Sequence, residues 1–293
     1  MKKRFLPTLS IIVASVFWGT TGLFNKCFSD LGFSASDVVV FRMLSAAVFM
    51  TLFILIKDRK AFIIKLSNLP ILLLIGAISI FSTSYFYINS ISASSMSVAA
   101  ILMYTAPFIV VIASCFIYKE KLTARKICAL IIAFIGCILV SGLGKTSTFG
   151  IVFGLLSGIT YASYSIFSKT ALKSMSSYTI TLYGFIIAAA SALITSNPVR
   201  IAKDVVACGY KIILPLIFIG IITSILPYLF YTYGLKHTEA GKASIISMLE
   251  PLVATLLGFI VLGQKTGIPG IIGIIFIVSA VIIIEMKVKK DEQ

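Results

Sequence analysis

Glu239-Ala-Gly-Lys242-Ala-Ser-Ile-Ile-Ser-Met-Leu-Glu250-Pro251-Leu-Val-Ala-Thr-Leu-Leu-Gly-Phe-Ile-Val-Leu-Gly-Gln264 is the stretch whose reading decides the fold. An apolar run of this length crosses a bilayer, because about 20 residues at about 1.5 Å each cover about 30 Å of hydrocarbon. Near its middle stand a carboxylate, Glu250, and a proline, Pro251. A charge at mid-bilayer is expensive, and Pro251 leaves the carbonyl one turn back without its helical donor. Such a pair is tolerated where the helix faces a water-lined cavity or a polar partner. The pattern has a copy 144 positions earlier, from Ser95 to Glu120, in which Pro107 stands for Pro251, Ala99 for Ala243 and Glu120 for Gln264. The chain reads as one unit written twice.

Composition agrees with a membrane class. With 59% hydrophobic and 12% charged residues and a mean hydropathy of +1.09, no water-soluble surface can be assembled. The formal charge of +15 does not point to nucleic acid, since the basic residues sit between apolar spans and form no stripe. Five cysteines are scattered without ligand spacing and His237 stands alone, so neither a metal site nor a cofactor is expected. Gly144-Lys145-Thr146 imitates the end of a phosphate-binding loop, but Leu139 occupies the place of its first glycine, and no nucleotide site is expected.

Ten spans are predicted: Leu6 to Phe28, Ser36 to Ile56, Leu69 to Ser90, Ser95 to Tyr118, Ala124 to Gly142, Phe149 to Lys169, Tyr178 to Ser196, Ile212 to Leu235, Ala240 to Leu262 and Ile268 to Met286. The fold expected is all-α integral membrane, with residues 5–143 and 147–286 as two repeats of five helices. Five is odd, so the second copy enters the bilayer from the opposite side, and substrate sites of such inverted repeats lie at their interface. Alternate connections carry the basic residues, among them Lys2, Lys3, Arg4, Lys57, Lys119, Lys169, Lys236, Lys287, Lys289 and Lys290, which puts both termini in the cytoplasm. Lys145 and Lys265 fall on the other side, and Arg200, Lys203 and Lys211 run against the bias.

Polar and aromatic residues mark the interior faces. Trp18, Thr21, Gly22 and Asn25 share one face of the first span, and Tyr161, Tyr164, Ser165 and Ser168 share one face of the sixth. Tyr85 and Asn89 share a face of the third span with Ser82, while Tyr87 aligns with Tyr231 of the eighth, beside Pro227 and Tyr228. These residues, with Tyr104, are candidates to line a solvated substrate cavity, the alternative being an interfacial aromatic belt. Glu250 either handles a proton or an ammonium group, or is fixed by a partner such as the carbonyl freed by Pro251. Arg42 is about 9 Å below the end of its span and Glu250 about 15 Å from either surface, so the two can form a charge pair; alternatively Arg42 reaches out to the headgroups. Pro107, Pro227 and Pro251 are candidate bending points, and Gly154 and Gly158 have the spacing of tight helix packing.

The Phe17-Trp18-Gly19 to Lys26 stretch, Phe41-Arg42, Tyr104-Thr-Ala-Pro107 to Lys119-Glu120-Lys-Leu, and Glu250-Pro251 to Gly263-Gln264 together resemble the EamA-type repeat of the drug/metabolite transporter superfamily over residues 5–286. The resemblance implies ten helices, cytoplasmic termini and a cavity bounded by helices 1, 3, 4, 6, 8 and 9. It also implies alternating access and, often, export of amino acids or other small metabolites. Gln264 departs from it, since the second repeat commonly ends this helix with Glu. The function expected is a secondary transporter, an exporter of amino acids, amines or related compounds in a bacterial plasma membrane, with protons as a candidate coupling ion. An importer or facilitator is the alternative in the same class, and a scaffold or sensor without a solvated cavity the alternative outside it. A membrane enzyme would need clustered acid, His or Cys groups near one interface, which the sequence lacks.

Overall fold

The computed structural model describes residues 2–142, 144–145, 147–263 and 267–286, with side chains from residue 6 onward. Thr146, Gln264, Lys265, Lys287, Lys289 and Lys290, and the side chains of Lys2, Lys3 and Arg4, lie outside the described residues. Among these residues ten helices are long and apolar enough to cross a membrane: α1 Leu6–Asp30, α2 Ala35–Lys57, α3 Leu66–Ala93, α4 Met96–Ile117, α5 Ala124–Ser141, α6 Thr148–Ala171, α7 Ser177–Ile194, α8 Pro198–His237, α9 Ala240–Leu262 and α10 Ile268–Glu285. No strand occurs among them. The hydroxyl of Thr8 donates to Glu285, so the first and last helices bring both ends of the chain to one side. That side is called the terminal end below.

Two five-helix repeats of inverted topology build the bundle, and their pseudo-symmetry can be read from the packing. α3 lies on α6 as α8 lies on α1, and α3 meets α7 as α8 meets α2, while α2–α7, α4–α9 and α5–α10 pair across the axis. Lipid tails are as apolar as leucine, so small residues that admit a neighbouring backbone hold such a bundle together. A Cβ on Gly136 of α5 would come within 2.8 Å of the Gly273 carbonyl of α10, and one on Gly273 within 2.6 Å of the Gly136 carbonyl. Gly76 and Gly220, at equivalent places of α3 and α8, are equally closed, by Ile187 and by Ser45.

Several helices are interrupted where the site lies. α4 runs as Met96–Met103 and Ala106–Ile117, and α9 as Ala240–Ser247 and Glu250–Leu262, with the breaks at equivalent positions. The cause is common to both: Pro107 and Pro251 each stand at the second position of the following segment, where a missing N–H does no harm. α1 is broken between Gly19 and Thr21. Both α3 and α8 contain a π-helical stretch, Leu74–Phe81 and Ile221–Ile225. Because α3 has no proline there, the irregularity belongs to the repeat and not to Pro227.

One element adds to expectation. The apolar part of α8 starts at Ile213, near the expected Ile212, but an amphipathic segment Pro198–Cys208 that Asn197 caps precedes it, joined through a turn at Gly209. This segment carries Arg200 and Lys203, the charges that ran against the loop bias. Arg200 is engaged: it donates to Asp37 of α2 and at 3.0 Å to Asp204.

Candidate functional site

Glu250 opens the second half of α9, so its carboxylate stands at the positive end of a half-helix inside the bundle. Its oxygen Oε2 accepts a hydrogen bond from the Tyr161 hydroxyl at 3.2 Å, and the Tyr104 hydroxyl is a second neighbour. Tyr161 comes from the middle of α6, the counterpart of α1, and Tyr104 from the break in α4, the counterpart of α9 itself. Trp18 fills the other side. Its ring meets Tyr161 edge-on at 6.3 Å, Tyr228 at 5.4 Å and Tyr231 at 5.3 Å, and Tyr164 in turn meets Tyr228 at 4.9 Å. Tyr231 shares a 2.7 Å hydrogen bond with Ser165. Trp18 is buried, while Tyr161 and Glu250 are half-buried and touch open space.

Trp18 can reach this place because α1 breaks immediately after it. Gly19 lies so close to α9 that a Cβ there would sit 2.6 Å from Cβ of Val253, one turn beyond Glu250. The interruption of α1 therefore packs into the interrupted part of α9. Beyond the break the wall recedes: Gly22 is exposed, and a Cβ there would meet nothing within 4 Å.

Arg42 and Glu250 do not pair. Among the ion pairs of the described residues theirs is absent, which corrects the expected direct contact. Instead Nη2 of Arg42 donates to the Ser84 hydroxyl of α3 at 2.9 Å, and Nε is buried without a partner. Nor does Arg42 reach out to the headgroups. It remains in electrostatic reach of Glu250, and Tyr228 feels both charges. Two opposite charges thus lie near each other without contact, and Tyr228 is close to both.

Of the predicted lining residues, Trp18, Tyr104, Tyr161, Tyr164, Tyr231 and Glu250 come together. Tyr85, Asn89 and Asn25 do not. Tyr85 is 44% exposed and stacks with Phe81 and Phe86 on the outer side of α3, and Asn89 donates to the Tyr85 carbonyl of its own helix. The inward face of α3 carries Ser84, Tyr87 and Ser90 instead. The error has a physical source: Ser and Thr satisfy themselves on carbonyls one turn back, so both faces of α3 are polar in sequence. Asn25 is exposed on the segment Thr21–Asp30, beyond the break in α1. Tyr228, expected beside Tyr231 in the same set, joins Trp18 and Tyr164, since a spacing of three puts both tyrosines of α8 on one helical face. Gly154 and Gly158 of α6 lie against Leu102 and Thr105 at the break in α4, as packing residues do.

Toward the terminal end the site is shut. A small cavity with room for about one water lies below Trp18 and Tyr161 and is lined in part by Pro107, Ser165, Tyr231, Ser244 and Ser247. Below it every described residue of α9 from Ala243 back to Ala240 except Lys242 is buried.

Comparison with known proteins bears on this geometry. A family profile described as the EamA-like transporter family matches residues 6–142 and 148–286. An uncharacterized transporter of Archaeoglobus fulgidus is 28% identical over 276 residues, covering 94% of both chains. The uncharacterized transporter YyaM of Bacillus subtilis is 26% identical over 92% of this chain and 90% of its own, and the uncharacterized inner membrane transporter YicL of Salmonella typhimurium 22% identical over 95% and 94%. One crystal structure superposes with a TM-score of 0.79 over 96% of each chain at 17% sequence identity, a likeness of fold.

Proposed function

Since the chain belongs to the EamA-like transporter family, and is therefore a multi-pass membrane transporter and not an enzyme, we propose that it exports small metabolites bearing an ammonium group, amino acids or amines, from the cytoplasm of a bacterial cell. In this reading both termini are cytoplasmic, the two repeats rock about the central site, and the site opens alternately to either side. The observation that carries the reading is Glu250: a carboxylate inside the bundle whose partners are tyrosine hydroxyls and whose charge no cation neutralises.

Each group then has a task. An ammonium ion placed on Glu250 would lie beside the faces of Trp18, Tyr161 and Tyr228, where the ring quadrupole attracts a cation. The free Nε of Arg42 would accept no proton but would donate to a carboxylate, so a zwitterion could bridge the two charges past Tyr228. Neither charge has to break an ion pair with a protein residue before substrate binds. Without substrate each has only neutral hydrogen-bond partners, which favours loading before the site closes.

The test is flux of a radiolabelled panel of amino acids and amines in proteoliposomes, with and without an imposed pH gradient, for wild type and Glu250→Gln. Transport of an ammonium-bearing solute that drops at least about tenfold in the variant is the expected outcome, since a charge-assisted hydrogen bond is lost. A response to the pH gradient that disappears in the variant would add protons as the coupling ion. Equal flux in both proteins would refute the role of Glu250 and leave a facilitator.

A further inference from the structure

Beyond the substrate site, the terminal end of the bundle holds a second group of charges that substrate does not reach. Glu120, just past α4, is buried, and its carboxylate accepts the backbone N–H groups of Ala240 at 2.6 Å and Gly241 at 3.1 Å. It thereby caps the first turn of α9, where a negative charge is favoured by the helix dipole. Lys126 of α5, also buried, lies 3.5 Å from Glu120 and 2.7 Å from Glu239. Lys169 of α6 donates to the Leu235 carbonyl at 2.8 Å and to the Thr238 carbonyl, capping the end of α8. One carboxylate from the end of α4 and two ammonium groups from α5 and α6 thus grip the short connection between α8 and α9, which itself supplies Glu239.

The position of the grip matters. It holds the first half of α9, Ala240–Ser247, whose serines 244 and 247 line the small cavity under the substrate site. For solute to enter from the terminal end this half-helix must move away from α4 and α6, and that motion breaks the Glu120 cap. At the other end the equivalent of Glu120 in sequence is Gln264, which is uncharged and lies outside the described residues. The Asp37–Arg200 pair of that end joins α2 to the start of α8, helices that already pack together outside the cavity.

We propose that Glu120, with Lys126 and Glu239, is the latch of the terminal gate, and that it holds this end shut in the empty protein, with the substrate site open to the other side. Glu120 and Lys126 are positioning residues: they act on transport through α9 and never touch solute. The inference rests on the alternating-access reading, but its test needs no solute.

In a background with the five cysteines replaced, single cysteines at Ser244, under the site, and at Gly22, in the open mouth, report the two gates. Protein in nanodiscs is labelled with a water-soluble maleimide, so membrane sidedness does not enter. With Glu120→Gln or Lys126→Met, labelling at Ser244→Cys should rise about tenfold or more, as expected when a buried charged contact is lost, while labelling at Gly22→Cys falls. Unchanged rates at Ser244→Cys in both variants would overturn the latch. If both sites label faster the fold itself has loosened, and the milder Glu239→Gln, at a half-exposed position, decides: a rise at Ser244→Cys with a fall at Gly22→Cys supports the latch, and no change refutes it. Loss of transport in Glu250→Gln with these rates intact would separate a failed latch from a failed substrate site.

Discussion

Trp18 shows how much one side chain can do in this bundle. It contacts three tyrosines from α6 and α8 and forms the wall opposite Glu250. Replacing it with alanine removes the ring face offered to a cation, which is worth about 0.5 to 2 kcal/mol. Binding of an ammonium-bearing solute should weaken by roughly 3- to 30-fold, and Trp18→Phe should restore part of it; binding isotherms on purified protein check this. Arg42 makes a sharper distinction. With Arg42→Gln, affinity for a zwitterion should fall about tenfold or more through loss of a charge-assisted donor, while affinity for the matching amine without a carboxylate stays within about twofold, a difference competition binding would reveal. Equal losses for both solutes would mean that Arg42 only holds Ser84 and the packing of α2 on α3.

The decisive elements are the interrupted ones. A continuous α9 would hold Glu250 in mid-helix, with its backbone N–H bonded and no helix end beside its carboxylate. The break at Met248 and Leu249 makes Glu250 the first residue of a new segment. Pro251→Ala returns the missing donor and favours a straight helix. Its expected effect is a transport rate reduced about tenfold with thermal stability unchanged or raised, since proline at a segment start contributes little to stability; flux measurements beside a melting curve would show it. Gly19 belongs to the same argument. Gly19→Leu would drive a side chain into Val253, and overpacking of about 1–3 kcal/mol should separate α1 from α9 and lower the melting temperature.

At the scale of the molecule, the α5–α10 pair is a fixed seam joining the repeats, because backbones touch at Gly136 and Gly273 and Arg125 ties the start of α5 to the Met286 carbonyl at the end of α10. Gly136→Leu should abolish the monodisperse folded protein in size-exclusion chromatography, whereas Ile135→Ala, on the exposed face of the same helix, should leave it intact. The site lies instead where helices 1, 4 and 9 are broken and helices 6 and 8 present their aromatic faces. A stiff outer seam beside a broken interior is what permits two repeats to move about a common site.

The class, the number of spans, the doubled pattern and the interior placement of Glu250 and Trp18 were all readable from the chain, because a bilayer demands long apolar helices and makes every interior charge conspicuous. The proline positions likewise announced the breaks in α4 and α9. What the sequence could not order were the faces of α3. Hydroxyls bonded to their own helix look the same in sequence whether they point to lipid or to a cavity, so Tyr85 and Asn89 stood as candidates beside Tyr87, and Ser84 did not. Nor could it say which charges meet. Glu120 and Lys126 are six residues apart, yet their partners stand near position 240, and Arg200 finds Asp37 across 163 residues. Pairings of this kind follow from the rotation and depth of each helix, which neighbouring helices impose and no local pattern records; the tertiary structure alone determined that Arg42 and Glu250 stay apart while Glu120 grips α9.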